Sequence, residues 1–415
     1  MEAMRIGRTH VRMLVVSLML LCSVFVLGWN KGVLAEKKPF KIGHVAGFTG
    51  PLALYNTQTQ IGIKLAVDDI NKAGGFLGRK VEVISRDGKE RPDVSMSEAR
   101  DLILSQGVDA IIYGATGSAA LAVSSVAKEY KIPYLVSPVG TLVTGKEGHR
   151  YVFQIFETTA LMGYSVGEYL SERPWKKYCI IGSDYVFSHE VVTYAWNRLA
   201  EKKSGVEKIK EFWPRMGERD FTTYITAILS SNPDAVIGVL PGSMGIDFIR
   251  QAKGFNFFQK VHYLHVPLAS EERATLGKEI PNGIMGQASY AFPYCSEHYP
   301  LAAKFEKEYN KVADNYEYDG AAFGYNQILF LQAAIKKARS TDKEKIVDAG
   351  EGLEFDTTVG RVKVLKYSHR ATVPDYVGVM TYTSKYPLAI FKGPHEYRGE
   401  KFMLSEDQIR QMRKQ

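Results

Sequence analysis

The sequence predicts an α/β protein made of two like-patterned lobes with parallel sheets. Three observations carry that expectation. Short apolar runs such as 108–113 (VDAIIY) and 235–240 (AVIGVL) alternate with stretches of helical periodicity, the order expected of parallel sheets covered on both faces. The alternation pauses at residues 151–157 and restarts in the same order without a tandem sequence repeat, which implies a second lobe of like architecture. The chain has 415 residues, 45% hydrophobic and 24% charged, enough for more than one core.

The first 35 residues belong to neither lobe. Arg5, Arg8 and Arg12 precede an apolar run over 13–27, and Val33-Leu34-Ala35 supplies small or apolar residues ahead of Glu36. That is the pattern of a secretory signal peptide cut after Ala35, which implies a periplasmic protein. The run is shorter than the roughly 20 residues a membrane span needs. Cys22 follows Leu20-Leu21, where a lipoprotein signal wants a small residue. Loss of four basic residues and one acid with this leader lowers the formal charge from +8 to +5. The remaining basic residues are interleaved with acids, as in 304–311, which reads as a solvated surface with no nucleic-acid partner. Cys179 and Cys295 remain. Cys179 lies in the apolar run 177–182 (KYCIIG), where a buried free thiol accounts for it, although export permits a disulfide.

The first unit of the mature chain runs from Phe40 to Asp87. Residues 41–46 (KIGHVA) form a strand broken by Gly47-Phe48-Thr49-Gly50-Pro51. From about Gln58 the apolar residues Ile61, Ile63, Leu65, Ala66, Val67 and Ile70 fall mostly at helical spacing, and Gly74-Gly75 ends the helix with a left-handed cap. Gly78-Arg79 then turns the chain into the strand 80–85 (KVEVIS). A right-handed crossover puts the loop after the first strand at the carboxyl edge of the sheet, where open α/β sheets bind ligands.

The next helix opens at Arg91-Pro92-Asp93, with proline in the first turn. The strand 108–113 runs into Gly114-Ala115-Thr116-Gly117-Ser118 and a helix over 119–130. A glycine-rich loop feeding a helix offers free N–H groups and the Ser118 hydroxyl to a carboxylate, or Ser118 simply caps its own helix. The strand 132–137 (IPYLVS) ends at Pro138, with Gly140 and Thr141 beyond it. Thr49, Ser118 and Thr141 thus reach the same sheet edge, which points to a ligand cleft.

In the second run, 160–170 is helical and the strand through Ile181 leaves by Gly182-Ser183-Asp184-Tyr185-Val186-Phe187-Ser188. Helices over 191–200 and 221–229 flank an extended 209–212; the strand 235–240 ends at Pro241-Gly242-Ser243; 262–266 and 283–289 are extended. Helical periodicity is strong over 299–312 and 319–339, while 358–366 reads as extended and 376–383 with 388–391 as a late hairpin. The tail, 396–415, is polar and basic; a surface helix and a frayed end both fit it.

No catalytic constellation accompanies this pattern. Gly114 and Gly117 have the wrong spacing for the dinucleotide fingerprint, and no Walker loop occurs. Pro241-Gly242-Ser243-Met244-Gly245 has proline where the nucleophile elbow needs glycine. His262 and His265 on a strand lie on opposite faces, unsuited to zinc. Ligand loops without a nucleophile, base or metal set favour binding without turnover, and with no cofactor.

At Gly50-Pro51, Gly62, Ala66-Val67-Asp68-Asp69-Ile70-Asn71, Gly74-Gly75-x-x-Gly78-Arg79 and Asp87 the chain resembles the type I periplasmic solute-binding proteins of ABC transporters. It is most similar to the branch serving branched-chain and hydrophobic amino acids, over roughly residues 39–391. The resemblance implies two Rossmann-like lobes joined by a three-strand hinge, closing on a ligand. Lobe 1 is then 36–156 plus 290–372 and lobe 2 is 157–289 plus 373–395. It also implies permease subunits at the membrane as partners, the chain itself carrying no ATPase motif.

Carried over by resemblance, Ser118 and the Gly117 helix start hold a ligand carboxylate, Thr141 binds the ammonium and carboxylate end, Val139 offers its carbonyl, and Tyr55 flanks the cleft. In lobe 2, Phe187 and Leu240 stand where amino-acid binders have tyrosines. No acid occupies 265–269, where the family's ammonium-binding glutamate is expected. The segment 183–187 resembles that of amide and urea binders. The resemblance therefore implies an amino acid or related ligand, either an aromatic or aliphatic carboxylate or an amide, with its body near Tyr185, Phe187 and Tyr290. A sensory or regulatory ligand-binding protein is the alternative.

Overall fold

The computed structural model describes residues 37–50, 52–114, 117–137, 140–313 and 315–414. The signal-peptide expectation for residues 1–35, and with it the predicted cleavage site, falls outside them.

Two open sheets organise the chain from Pro39 onward. In the first, β1 (Phe40–Ala46), β2 (Val81–Asp87), β3 (Ala110–Gly114), β4 (Tyr134–Ser137) and β5 (Val152–Gln154) lie in the order β2-β1-β3-β4-β5, all parallel. In the second, β6 (Lys177–Gly182), β7 (Glu207–Phe212), β8 (Ala235–Val239), β9 (His262–Val266), β10 (Met285–Ala288), β13 (Asp375–Thr381) and β14 (Ile390–Tyr397) are arranged β14-β13-β10-β9-β8-β6-β7. Here β6 to β10 are parallel, and the late pair β13–β14 adds antiparallel on one edge. Central strands such as β3 (AIIYG) and β8 (AVIGV) are buried at every position, because helices cover both faces. The chain crosses between the sheets after β5, after β10 and before β13.

The first long helix, Ala53–Lys72, buries Ile63, Ala66, Val67 and Ile70 and lies against the helix Tyr318–Ala338. Their approach is set by glycine. A Cβ on Gly62 would sit 1.8 Å from the carbonyl oxygen of Ala321, and one on Gly324 would sit 2.2 Å from that of Thr59. The helix ends as its sequence implies, with Gly74 and Gly75 at φ of 97° and 74°, a conformation open to glycine.

One part differs from the sequence reading, and two others fall on one of the alternatives it held open. The extended stretch expected over 358–366 is a hairpin of β11 (Glu354–Thr357) and β12 (Gly360–Lys363). Its alternating burial is confined to four-residue strands, too short to announce a period. The tail forms the helices Gly399–Phe402 and Glu406–Met412, the second opened by a Ser405 capping box. Leu404 and Ile409 anchor it in a small apolar cluster, and Arg413 donates to the carbonyls of Gly145 and Thr144. Cys179 and Cys295 are both free and buried.

Candidate ligand-binding cleft

The carboxyl ends of the strands in both sheets converge on one cavity of about 60 Å³. Lobe 1 contributes Leu52, Tyr55, Asn56 and Thr59 from the start of the first helix, Ser137 from the end of β4, and Phe323. Lobe 2 contributes Met162, Tyr185, Phe187, Pro241, Pro267 and Ala269, and the crossing segments supply Glu157 and Ser289. The wall is mainly apolar and aromatic with few polar groups, the usual composition of a small-molecule site.

Side chains of one lobe bond to backbone of the other across this cavity. The Gly117 N–H, at the start of the helix Gly117–Glu129, donates to the Tyr185 hydroxyl at 2.8 Å. The phenol oxygen thereby occupies the positive end of a helix dipole. The Thr141 N–H donates to Glu190 Oε2 at 2.9 Å, and the Thr159 hydroxyl donates to the same oxygen at 2.5 Å. On the far side Arg370, buried in a crossing segment, donates to the Thr141 carbonyl and to the Thr144 hydroxyl, each at 2.7 Å. Tyr55 donates from lobe 1 to Glu272 and accepts from the Gly242 N–H at 3.1 Å. Ser270 caps the helix Tyr318–Ala338, accepting from the Tyr318 and Asp319 N–H groups at 2.7 and 2.8 Å. This is a closed arrangement of the lobes.

The polar floor is acidic. Glu157 is 1% exposed; its Oε1 accepts from the Ser289 hydroxyl, while Oε2 has no partner among the described residues. Burial, then the neighbouring Asp375, pushes the Glu157 carboxyl well above the usual carboxylate range. Burial likewise raises Glu272 to about 8 and Asp375 to about 7. Behind them Asp319 accepts from the Ser270 N–H at 2.9 Å and the Tyr290 N–H at 3.0 Å, with the buried guanidinium of Arg273 at 4.0 Å. Glu271 accepts from the Gly320 N–H at 2.7 Å. Residues 265–269 hold no acid, as read, yet acids reach the cleft from outside that loop. Glu272 stands just beyond the loop searched for one, and Glu157 comes from the crossover. The signal for Glu157 was present, since it is the one charged residue between Arg150 and Glu168.

Among the residues singled out from the sequence, Tyr55, Tyr185 and Phe187 line the cavity. Ser118 is exposed and does not line it. Thr141 is 1% exposed and its hydroxyl pairs with that of Thr159 at 2.9 Å, away from the lining. Gly117 offers its N–H to Tyr185 instead of to open space. Leu240 is turned into the core and leaves the wall to Pro241. Tyr290 is corrected in the same way: it is fully buried and donates to Glu306 at 2.7 Å, and Ser289 before it faces the cavity. Val139 lies outside the described residues. Among the described residues no group of His, Cys, Asp and Glu could hold a metal.

A family model described as periplasmic binding protein matches residues 39–385. The leucine-, isoleucine-, valine-, threonine- and alanine-binding protein of Pseudomonas aeruginosa is 23% identical over 78% of this chain and 84% of its own length. A periplasmic binding protein from Burkholderia mallei superposes with a TM-score of 0.81 at 19% identity, covering 89% of this chain and 98% of that one. An ABC-transporter solute-binding protein from Rhodopseudomonas palustris, solved with 3,4-dihydroxybenzoic acid, gives 0.77 at 21% identity over 87% and 98% of the two chains.

Proposed function

The chain belongs to the periplasmic binding protein family, and from that premise we propose that it is the extracytoplasmic substrate-binding component of an ABC transporter. It captures an amino acid or a related small carboxylate or amide between its lobes and presents it to a membrane permease. The supporting observation is the enclosed, mainly apolar cavity bridged by Tyr55, Tyr185 and Glu190 from opposite lobes. Closure excludes water from the solute and joins surface from both lobes into one face, which a permease distinguishes from the open form. No turnover accompanies binding, and the ATPase and channel are other subunits. The family's location is periplasmic, consistent with removal of residues 1–35 as a signal peptide.

Calorimetric titration of the mature chain with leucine, phenylalanine, benzoate and short amides tests the reading. Saturable one-to-one binding of one of these classes is expected. Silence across the panel, with no small molecule released when the purified protein is unfolded, contradicts it. An aromatic body is favoured by Tyr55, Tyr185, Phe187 and Phe323 in the wall.

A further inference from the structure

The cavity holds a buried carboxyl oxygen that no group among the described residues uses. Glu157 lines the cavity from the crossover after β5, Ser289 holds its Oε1, and Oε2 is left without a hydrogen-bond partner. A buried oxygen of this kind costs free energy in the empty protein unless a ligand donates to it. The surroundings set the sign of that ligand. Glu271, Glu272, Asp319 and Asp375 are fully buried behind the same floor, against two buried guanidinium groups, Arg273 beside Asp319 and Arg370 beside Thr141. Burial holds these carboxyls protonated in the empty protein, and a positive guest favours ionisation of the one it touches.

Among the described residues, two of the groups that would recognise a negative guest are already engaged. The Gly117 N–H is taken by the Tyr185 hydroxyl and the Thr141 N–H by the Glu190 carboxylate. A ligand carboxylate would have to displace a carboxylate of the protein from Thr141, and would then lie over an acidic floor. Resting on the binding function above, we propose that the cavity takes a solute with a protonated primary amine seated against Glu157 Oε2, its apolar or aromatic body lying between Phe187 and Phe323, and that a carboxylate on the solute is dispensable. Glu157 is then the residue that selects for the amine, and Ser289 positions it. An ammonium donates to the unpartnered oxygen and supplies the positive charge beside which the Glu157 carboxyl ionises.

The test is calorimetric titration of the mature chain with 2-phenylethylamine, phenylalanine amide, phenylalanine and phenylacetate, repeated with Glu157→Gln. The amine and the amino amide bind, phenylacetate is at least 100-fold weaker, and Glu157→Gln loses at least 100-fold for the amines. The ligand-free variant melts at or above the parent temperature, because a buried carboxyl has been replaced by a neutral amide. Glu157→Asp, which keeps the charge but withdraws it, falls between the two. Phenylacetate binding as tightly as phenylethylamine, or amine affinity surviving in Glu157→Gln, overturns the proposal while leaving solute capture intact. Absence of binding by any probe here and in the wider panel overturns solute capture, and this proposal with it.

Discussion

Removing Glu190 isolates the contribution of lobe closure, because Glu190 bridges the lobes without lining the cavity. Its bond to the Thr159 hydroxyl lies within lobe 2, so of the Glu190 bonds the one to the Thr141 N–H changes on opening, while Thr159 Oγ1 at 3.1 Å remains a second acceptor for that N–H. Arg370 fixes the lobe 1 side by holding the Thr141 carbonyl at 2.7 Å, so that side cannot follow the retreating carboxylate. A hydrogen bond to a charged group contributes about 1.5–3 kcal/mol. Because Thr159 Oγ1 still accepts from that N–H, Glu190→Ala should lower the closed-to-open ratio by roughly tenfold, the lower end of this range, since about 1.4 kcal/mol is tenfold. Glu190→Gln keeps an acceptor and loses only the charge assistance, about 1 kcal/mol or roughly fivefold. The assay is stopped-flow dissociation of the tightest-binding solute, with small-angle scattering of each ligand-free protein. Faster release in the order Ala, Gln, parent is expected, with a larger radius of gyration for Ala. Dissociation from Glu190→Ala within twofold of the parent, with unchanged scattering, refutes the latch.

Gly62→Ala forces a Cβ to 1.8 Å from the backbone oxygen of Ala321, which cannot rotate away. A loss of about 3 kcal/mol in chemical denaturation is expected, at the upper end for overpacking. Gly254→Ala, with nothing within 4 Å, should be neutral, and equal effects at the two sites would contradict the helix packing. Thermal melts of the ligand-free protein should fall between about pH 6.5 and 8. In that window the unfolded carboxyls are already ionised, while the folded protein still holds the proton of Asp375 up to about 7 and that of Glu272 up to about 8. A raised carboxyl contributes stability below its ordinary range and loses it as pH rises through the folded value, at up to about 1.4 kcal/mol per pH unit per group. The buried histidines His44 and His265, lowered to about 4 and about 3, act with the opposite sign and only as pH falls below about 6.5. Glu272→Gln should flatten the decline at its alkaline end; a melting temperature that rises across this window contradicts the assignment.

The alternation of strands and helices was legible because β3 and β8 are buried on both faces and so read as unbroken apolar runs. The first helix was legible from its double-glycine end, although it begins at Ala53, ahead of the apolar period. Fewer of the cleft's residues could be read, for a geometric reason. Past the end of a strand, adjacent residues point to opposite sides, and sequence does not say which. Ser289 faces the cavity and Tyr290 the core; Pro241 faces it and Leu240 the core. Resemblance brought Ser118 and Thr141 to the right sheet edge but could not reveal that Glu190, nearly fifty residues away in the chain, already bonds to Thr141. The tail was ambiguous because its anchors, Leu404 and Ile409, are isolated apolar residues in a charged stretch.

The most direct test of solute capture between closed lobes is a crystal structure of the mature chain grown with the tightest-binding member of the amine and amino-acid panels. The account predicts electron density for one solute molecule enclosed between Phe187 and Phe323, a ligand nitrogen within hydrogen-bond distance of Glu157 Oε2, and the Tyr185–Gly117 and Glu190–Thr141 bonds in place. A stoichiometrically bound solute outside this cavity, or one enclosed with both interlobe bonds broken, would contradict it.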